Sequence, residues 1–486
     1  MAQNRQHILF AAGELGGMIG AACKGNLDAP IMEVVTDSRL VREGALFVAL
    51  RGARVDGHRF IEDACRAGAA AVMAEMAQKD VALAAFRNAG CMDRACLLLV
   101  ESTLSGLQAA ARAYRRRMNL FRIGVTGSSG KTTTKECIGA ILRACYPDNT
   151  VAMNEGNLNS DIGLALAMFT LRPEHRIGVF EMGMNRKGEM DELVAMYEPD
   201  MAVITNIGTA HLGMLGSRQA IAEEKKKIFS RFTGSQRGFI WENDEYRDFL
   251  VRDVQGTILE FGPKSTRGLE QAVSLGIHGW QLVWKGQSLQ FPLPGEHNLL
   301  NACAALSVAD ALALDPQAVA RGLASVRPLF GRSELRTGRI TVLQDCYNAN
   351  PESMAAALEL VASLPWEGRK MLVLGSMLEL GEEAGEAHRR VLGQAFAINP
   401  AAVFAFGEDM AAAAAGLQAQ ESGTMRLVAC TDMQALIEAV CDAVQDGDLV
   451  LIKGSRGMAL ERLTEALASR GLIDMTNSSQ GGSHAS

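Results

Sequence analysis

Residues 124–135 read GVTGSSGKTTTK, and the reading of this stretch decides the fold. The usual phosphate-binding loop is G-x-x-x-x-G-K-[ST], in which backbone N–H groups wrap the phosphates and the lysine reaches the β and γ oxygens. Here the place five before Gly130 is Val125, Gly124 comes one residue early, and Gly127 falls inside the loop. The spacing is a variant. Upstream, FRIGVTG is an apolar strand running into the loop, and a helix is expected from Lys131 to about Cys145. Two more apolar strands, RIGVFEMG and MAVITNIG, each precede helical sequence. Apolar strands alternating with helices imply a parallel sheet covered on both faces.

The same style recurs on either side. IMEVVTDSR, GALFVALRG and AAAVMAE read as strands around the helix HRFIEDACRAG. After Arg327, the strands RITVLQD, KMLVLG, AVFAFG and LVLIKG alternate with helices. At 486 residues the chain exceeds one ordinary core. The expectation is three α/β domains, at residues 1–105, 106–326 and 327–475, and a polar Gly/Ser-rich tail, 476–486, expected to be disordered.

Composition excludes several classes. Apolar residues at 48% and charged residues at 21% describe a globular chain. A net charge of −7 and the absence of basic runs interleaved with aromatics argue against a nucleic-acid surface. Arg115–Arg117 reads as a solvated helix end. No secretory leader is expected, because the N-terminus has no basic stretch leading into a long apolar core, and no membrane span, because no 18 uncharged apolar residues run together. Ten scattered cysteines, without C-x-x-C or zinc spacing, read as buried thiols of a reducing cytoplasm.

In open parallel sheets, ligands sit beyond the carboxyl ends of the strands. Lys131 follows the first strand of the middle block, Glu181 ends the next, and His211 lies just past the third. A phosphate loop, a carboxylate and an imidazole at strand ends suit a magnesium–nucleotide complex, since Mg²⁺ takes oxygen ligands from one or two carboxylates, phosphates and water. Thr132 supplies the loop hydroxyl, Glu181 a carboxylate, and His211 completes a second metal site with its other nitrogen held by a hydrogen bond. In SRQAIAEEKKKIFSRF, Ile221, Ile228, Phe229 and Phe232 form one apolar stripe at 100° per residue, and Lys225 falls within it while Lys226 and Lys227 point away. An ammonium aimed into a core is costly unless paired or neutralised, so Lys225 calls for a function.

With its glycine three before Gly130, the loop resembles the G-x-x-G-K-T-[ST] form of the Mur ligase superfamily of ATP-dependent amide-bond-forming ligases. The resemblance implies a three-domain architecture: an N-terminal UDP-sugar domain, a central P-loop ATPase domain and a C-terminal Rossmann-like domain. It implies ATP at Gly127, Ser128, Ser129, Gly130, Lys131, Thr132 and Thr133. It also implies two Mg²⁺ ions and a Lys225 carbamate formed with CO₂, with Glu181, His211 and Thr132 as further ligands. GEHNLLNACAAL resembles the family's helix near the adenine, with Asn298 and Asn301 as candidates; it is equally a capped helix with an Ala-rich core face. Arg332 in FGRSE resembles the arginine that reaches the phosphates. Asp345 in QDCYNANP resembles the residue on the ribose, with Tyr347 and Asn350 beside it.

The ends suggest a step. TDSRLVREGALFVALRG resembles the N-terminal domain of the third- and fourth-step ligases, with Asp37, Ser38 and Arg39 in the UDP-sugar pocket. NEGNLNSDIG (Asn157, Asn159), DCYNANPESM, GSMLELGEEAGEAH and KGSRGMALE resemble the fourth-step enzymes, which implies UDP-N-acetylmuramoyl-tripeptide and D-alanyl-D-alanine as substrates. No DNPR motif of third-step enzymes is present. The dipeptide carboxylate needs a cation, and the KGSR loop offers Lys453, Ser455 and Arg456 at a helix N-terminus; the alternative is a surface strand-to-helix turn. Departures from the family pattern are Ser376 where an acidic residue is usual, Gly213 in HLG for HLE, and KKKI for KGEI. A monomer in the cytoplasm is expected, with closure about Arg327–Arg332 before chemistry. The rival readings are a third-step or folate-polyglutamate-type ligase, a non-catalytic regulator, and a P-loop hydrolase.

Overall fold

A computed structural model describes residues 7–52, 55–418 and 425–474. The tail expected at 476–486 lies outside the described residues. For the described residues the chain forms two compact units. One comprises Met1–Gly124, Asn149–Met184 and Gly188–Asp200; the other comprises Val125–Asp148, Asn185–Lys187 and Met201–Ser486.

In the first unit a five-stranded sheet runs Ala22–Gly25, Cys96–Val100, Ala71–Glu75, Ala45–Val48, Glu33–Val35. All neighbours are parallel except Ala22–Gly25 against Cys96–Val100. Phe47, Val72, Leu97 and Leu99 pack on Ile61 and Phe86 from the covering helices. Val151–Met153 pairs in parallel with Ile177–Glu181. The expected solvated end of helix Thr103–Arg115 needs correction at its last residue: Arg115 is buried, donates to the Met196 carbonyl at 3.0 Å and pairs with Glu198. A guanidinium with five N–H donors can be buried when its partners are fixed, and charge counting alone does not reveal them.

The second unit opens on the helix Lys131–Cys145, beginning at the expected residue. It packs on helices Glu296–Ala311 and Pro316–Ala324. A Cβ at Gly322 would stand 2.7 Å from the Ala140 carbonyl oxygen, so glycine permits that approach. Strands Met201–Ile204, Arg237–Trp241 and Thr257–Phe261 pair in parallel. The latter two, and the antiparallel sheet Leu269–Ser274, Trp280–Trp284, Gln287–Phe291, are additions to the expected strands.

Farther along, a six-stranded sheet runs Glu334–Thr337, Thr341–Asp345, Leu449–Lys453, Lys370–Gly375, Ala402–Phe406, Arg426–Cys430. It is parallel except at its first strand. Successive side chains of a strand point to opposite faces. Leu343, Leu372 and Leu451 therefore pack with Met354, Leu358 and Val391, while Val342, Val373 and Ile452 pack with Leu436, Leu463 and Leu467. Among the described residues no helix is long and apolar enough to cross a membrane, and the ten cysteines are free thiols.

Candidate functional site

The phosphate loop is held in shape by the segment that follows strand Met201–Ile204. Gly127 and Gly130 have φ of +148° and +78°, which glycine tolerates and side-chain-bearing residues resist. A Cβ at Gly127 would fall 1.8 Å from Thr205 Oγ1, and one at Gly130 would fall 2.4 Å from Asn301 Oδ1. Asn206 Oδ1 accepts from the Ser128 and Ser129 N–H groups at 3.1 and 2.9 Å. Thr205 Oγ1 donates to the Ser129 carbonyl at 2.5 Å, and the Gly208 N–H donates to Ser128 Oγ at 2.8 Å. Thr205 and Asn206 were missed by the sequence reading. Their only sequence signal is their place directly after an apolar strand.

Three cationic or basic side chains meet at the loop. Lys131 Nζ donates to the Gly127 carbonyl at 2.9 Å, and Lys225 Nζ donates to the same oxygen at 3.0 Å. Lys225 is 1% exposed, and Ile221, Ile228, Phe229 and Phe232 are buried too. The α-helix ends at Lys226 and Lys227–Phe229 continues as a 3₁₀ turn, so the expected single helical stripe covers only Ile221 and Lys225. Lys226 reaches the Phe249 carbonyl and Lys227 the Glu224 carboxylate. Burial, and after it the charges of Lys131 and Lys225, push the His211 imidazole down to about 4. His211 is therefore neutral at physiological pH, the form in which an imidazole can ligate a metal. Thr132 is buried in the first turn of the helix and Thr133 is half-buried.

The two asparagines of the Ala-rich helix tie it to the loop. Asn301 Nδ2 donates to Asn298 Oδ1 at 3.1 Å, and Asn301 Oδ1 accepts from Thr134 Oγ1 at 3.0 Å. Asn298 Nδ2 donates to the Pro294 carbonyl at 2.8 Å. Both are buried with these amide groups turned to protein partners.

From the C-terminal part of the same unit, Asn350 Nδ2 donates to Ser129 Oγ at 3.1 Å, so Asn350 stands at the phosphate loop. Next to it, Glu352 accepts from the Thr209 N–H and hydroxyl, both at 2.9 Å. The Arg332 guanidinium lies 4.2 Å from the centre of the Tyr347 ring, a stacking that fixes its direction. Asp345 Oδ2 pairs with Lys453 Nζ at 2.5 Å. Burial alone would raise the Asp345 carboxyl, but Lys453 holds it below its ordinary range.

Lys453 is thus buried and committed to Asp345, whereas Arg456 is exposed, pairing with Glu461 at 2.9 Å and lying over Phe330. Ser455 is a buried tie that accepts from the Leu378 N–H at 2.9 Å. Ser376 accepts from the Met410 N–H at 3.1 Å at the start of helix Glu408–Gln418.

Glu181, Asn157 and Asn159 belong to the first unit, as do Asp37, Ser38 and Arg39. Asn159 Nδ2 donates to Glu181 Oε1 at 2.6 Å, and Asn154 brackets the Glu181 backbone at 2.8 and 3.0 Å. Asn157 is exposed. Arg39 forks onto Asp37 and, with its N–H, holds that carboxyl down at about 2.

A strand-to-loop-to-helix phosphate cradle beside a buried lysine defines a nucleotide-dependent enzyme of the P-loop type. The comparisons give its family. Residues 125–309 match the Mur ligase middle domain, 331–456 the Mur ligase glutamate ligase domain, and 30–115 the Mur ligase family catalytic domain. A UDP-N-acetylmuramoyl-tripeptide--D-alanyl-D-alanine ligase from Treponema pallidum is 43% identical over 439 residues, 89% of this chain and 92% of the relative. The chain belongs to the Mur ligase family. Among solved structures, a crystal structure of MurF from Acinetobacter baumannii superposes with a TM-score of 0.83 at 29% identity, covering 95% of this chain and 99% of that one. MurF from Thermotoga maritima, solved in complex with ADP, has a TM-score of 0.76 at 29% identity, covering 90% and 97%.

Proposed function

We propose that the protein is an ATP-dependent ligase that joins D-alanyl-D-alanine to the C-terminal carboxylate of UDP-N-acetylmuramoyl-tripeptide, completing the pentapeptide of a peptidoglycan precursor. The observation that carries the reading is near-full-length similarity to relatives bearing that name, 43% identical across 92% of the relative's length. The phosphate loop supports it, with Lys131 and Lys225 on one carbonyl. In this reading the enzyme acts as a monomer in the cytoplasm, with three domains bounded near residues 105 and 326 and hinged at Arg327–Arg332.

The tripeptide carboxylate attacks the γ-phosphorus of ATP, ADP leaves, and an acyl phosphate forms. The amine of D-alanyl-D-alanine attacks the acyl carbon, phosphate leaves with the C–O bond's electrons, and the amine proton passes to solvent. Lys131 and Arg332 neutralise charge on the transferring group, which is mostly positioning and electrostatics. Asp345 and Tyr347 bound the nucleoside pocket, Asn298 and Asn301 brace it from behind, and Asn350 braces the loop at Ser129. Asp37, Ser38, Arg39, Asn157 and Asn159 serve the UDP-peptide.

Arg456 takes the dipeptide carboxylate, with Lys453 supporting that loop through Asp345. Thr132, Glu181, His211 and a carbamylated Lys225 are the proposed magnesium ligands. The neutral His211 ring fits such a role, and a carbamate would turn a buried cation into an anion. Magnesium, when bound, supplies Lewis-acid charge neutralisation on phosphate oxygens.

The test is phosphate release with ATP, magnesium and UDP-N-acetylmuramoyl-tripeptide, with and without D-alanyl-D-alanine, using lysine- and diaminopimelate-containing peptides in parallel. Dipeptide-dependent release and a product heavier by one dipeptide are expected. Release only with a single amino acid and a shorter UDP-peptide would move the protein to another step, and no release would sink the enzymatic reading. Closure has its own check: scattering profiles identical with and without ATP analogue plus UDP-tripeptide would refute it.

A further inference from the structure

The turn after strand Lys370–Gly375 meets the turn that carries His211. Glu379 and His211 both hold left-handed backbone, with φ of +65° and +66°, a region uncommon for residues other than glycine. The Gly213 N–H donates to the Glu379 carbonyl at 3.4 Å. A Cβ at Gly213 would stand 3.0 Å from that oxygen and 3.1 Å from the Gly381 nitrogen. Glycine at 213 therefore lets the two backbones approach, and the approach presents the Glu379 carboxylate to the histidine. Glu379 Oε2 lies 3.2 Å from His211 Nδ1.

That nitrogen is buried and has no aligned hydrogen bond, and leaving a buried polar atom unsatisfied is costly. The Glu379 side chain is 65% exposed. Its place is set by backbone docking and not by burial, so a small rotation suffices to align it.

We infer that Glu379 is a positioning residue for His211: its carboxylate accepts the Nδ1–H, holds the ring in that tautomer, and leaves Nε2 as the acceptor atom. Histidines that ligate metals commonly donate their other N–H to a carboxylate, which fixes ring orientation and basicity. The significance for catalysis rests on the reading of His211 as a ligand of nucleotide-borne magnesium. The arrangement makes the histidine's competence depend on the C-terminal part of the chain, which supplies the carboxylate. A histidine set only when that part is docked would keep the site incomplete until docking occurs.

The experiment uses the full chain labelled with ¹⁵N-histidine and saturated with a non-hydrolysable ATP analogue. Long-range ¹H–¹⁵N correlation distinguishes Nδ1–H from Nε2–H rings, and His211→Gln assigns the signal. The wild type is expected to show the Nδ1–H form. Glu379→Ala, a change at an exposed side chain, is expected to lose it, and Glu379→Gln, which keeps an acceptor oxygen, to restore it. Gly213→Ala, whose Cβ would make the two turns shift by a few tenths of an ångström, is expected to weaken the Nδ1–H signal without abolishing it.

Mn²⁺ affinity measured by electron paramagnetic resonance is expected to weaken about tenfold in Glu379→Ala. An identical His211 signal in wild type and Glu379→Ala, or an Nε2–H ring in the wild type, would overturn the positioning role. Mn²⁺ affinity unchanged in His211→Ala would instead sink the ligand reading, which separates the two failures.

Discussion

Replacing Lys453 by methionine keeps most of the side chain's volume and removes its charge. Asp345 and Lys453 are register partners at the ends of adjacent parallel strands, with Nζ and Oδ2 2.5 Å apart and side chains 18% and 2% exposed. Removing one partner of a buried pair leaves the other uncompensated and costs about 3–5 kcal/mol. At about 1.4 kcal/mol per tenfold, amide exchange in 341–345 and 449–453 should accelerate by roughly two to nearly four powers of ten, provided opening limits exchange at equilibrium.

The pH dependence gives a second signature. In the wild type the Asp345 pKa lies below its ordinary value because of Lys453. Its contribution to stability is thus present above the unfolded pKa and lost as pH falls through the folded one. Without Lys453, only the Ser333 N–H and the His297 imidazole remain to oppose burial, so the pKa rises relative to wild type. The variant's deficit is therefore largest near neutrality and shrinks as pH falls toward about 4. Adding Asp345→Asn should recover most of the loss. The measurement is hydrogen exchange by mass spectrometry on both variants. Exchange within about 0.5 kcal/mol of wild type in Lys453→Met, or a double mutant no better than the single, would refute the reasoning.

Lys225→Ala should lower dipeptide-dependent phosphate release at least ~100-fold, and a short carboxylic acid added to the assay should restore part of it; full activity without rescue would end the carbamate proposal. Arg456→Ala should raise the KM for D-alanyl-D-alanine roughly 10- to 100-fold, as for loss of a charge-assisted hydrogen bond, with the KM for ATP unchanged; equal changes in both would point to a structural role. Burial pushes His297 down to about 4. The unfolded chain therefore takes up a proton at this residue below about 6.5 that the folded chain refuses until about 4. Stability should fall across that window by up to about 1.4 kcal/mol per pH unit, and His297→Gln should flatten the slope in urea titrations.

Much of the architecture is legible because its signals are local. Strands such as 341–345, 370–375, 402–406 and 449–453 are short apolar runs, and the helix starting at Lys131 follows a glycine with left-handed backbone. Lys225 was legible for a related reason: the helical period puts it on the same face as Ile221, although the α-helix gives way to a 3₁₀ turn before Ile228 and Phe229. The antiparallel sheet 269–291 was not read, because its edge strand Leu269–Ser274 alternates weakly and carries little apolar surface. Arg115 was misread because its partners, Met196 and Glu198, lie about 80 residues away.

Spacing along the chain carries the α/β alternation, the variant phosphate loop and the lysine placed on the apolar side of its helix. How the polar groups are shared follows from chain packing. Asn206 holds the loop amides, Lys453 is committed to Asp345 and leaves Arg456 as the exposed cation, and Gly213 admits the turn that brings Glu379 to His211. The physical reason is that a hydrogen bond or ion pair needs both partners within about 3 Å, and chain packing, not sequence spacing, sets that distance between remote residues.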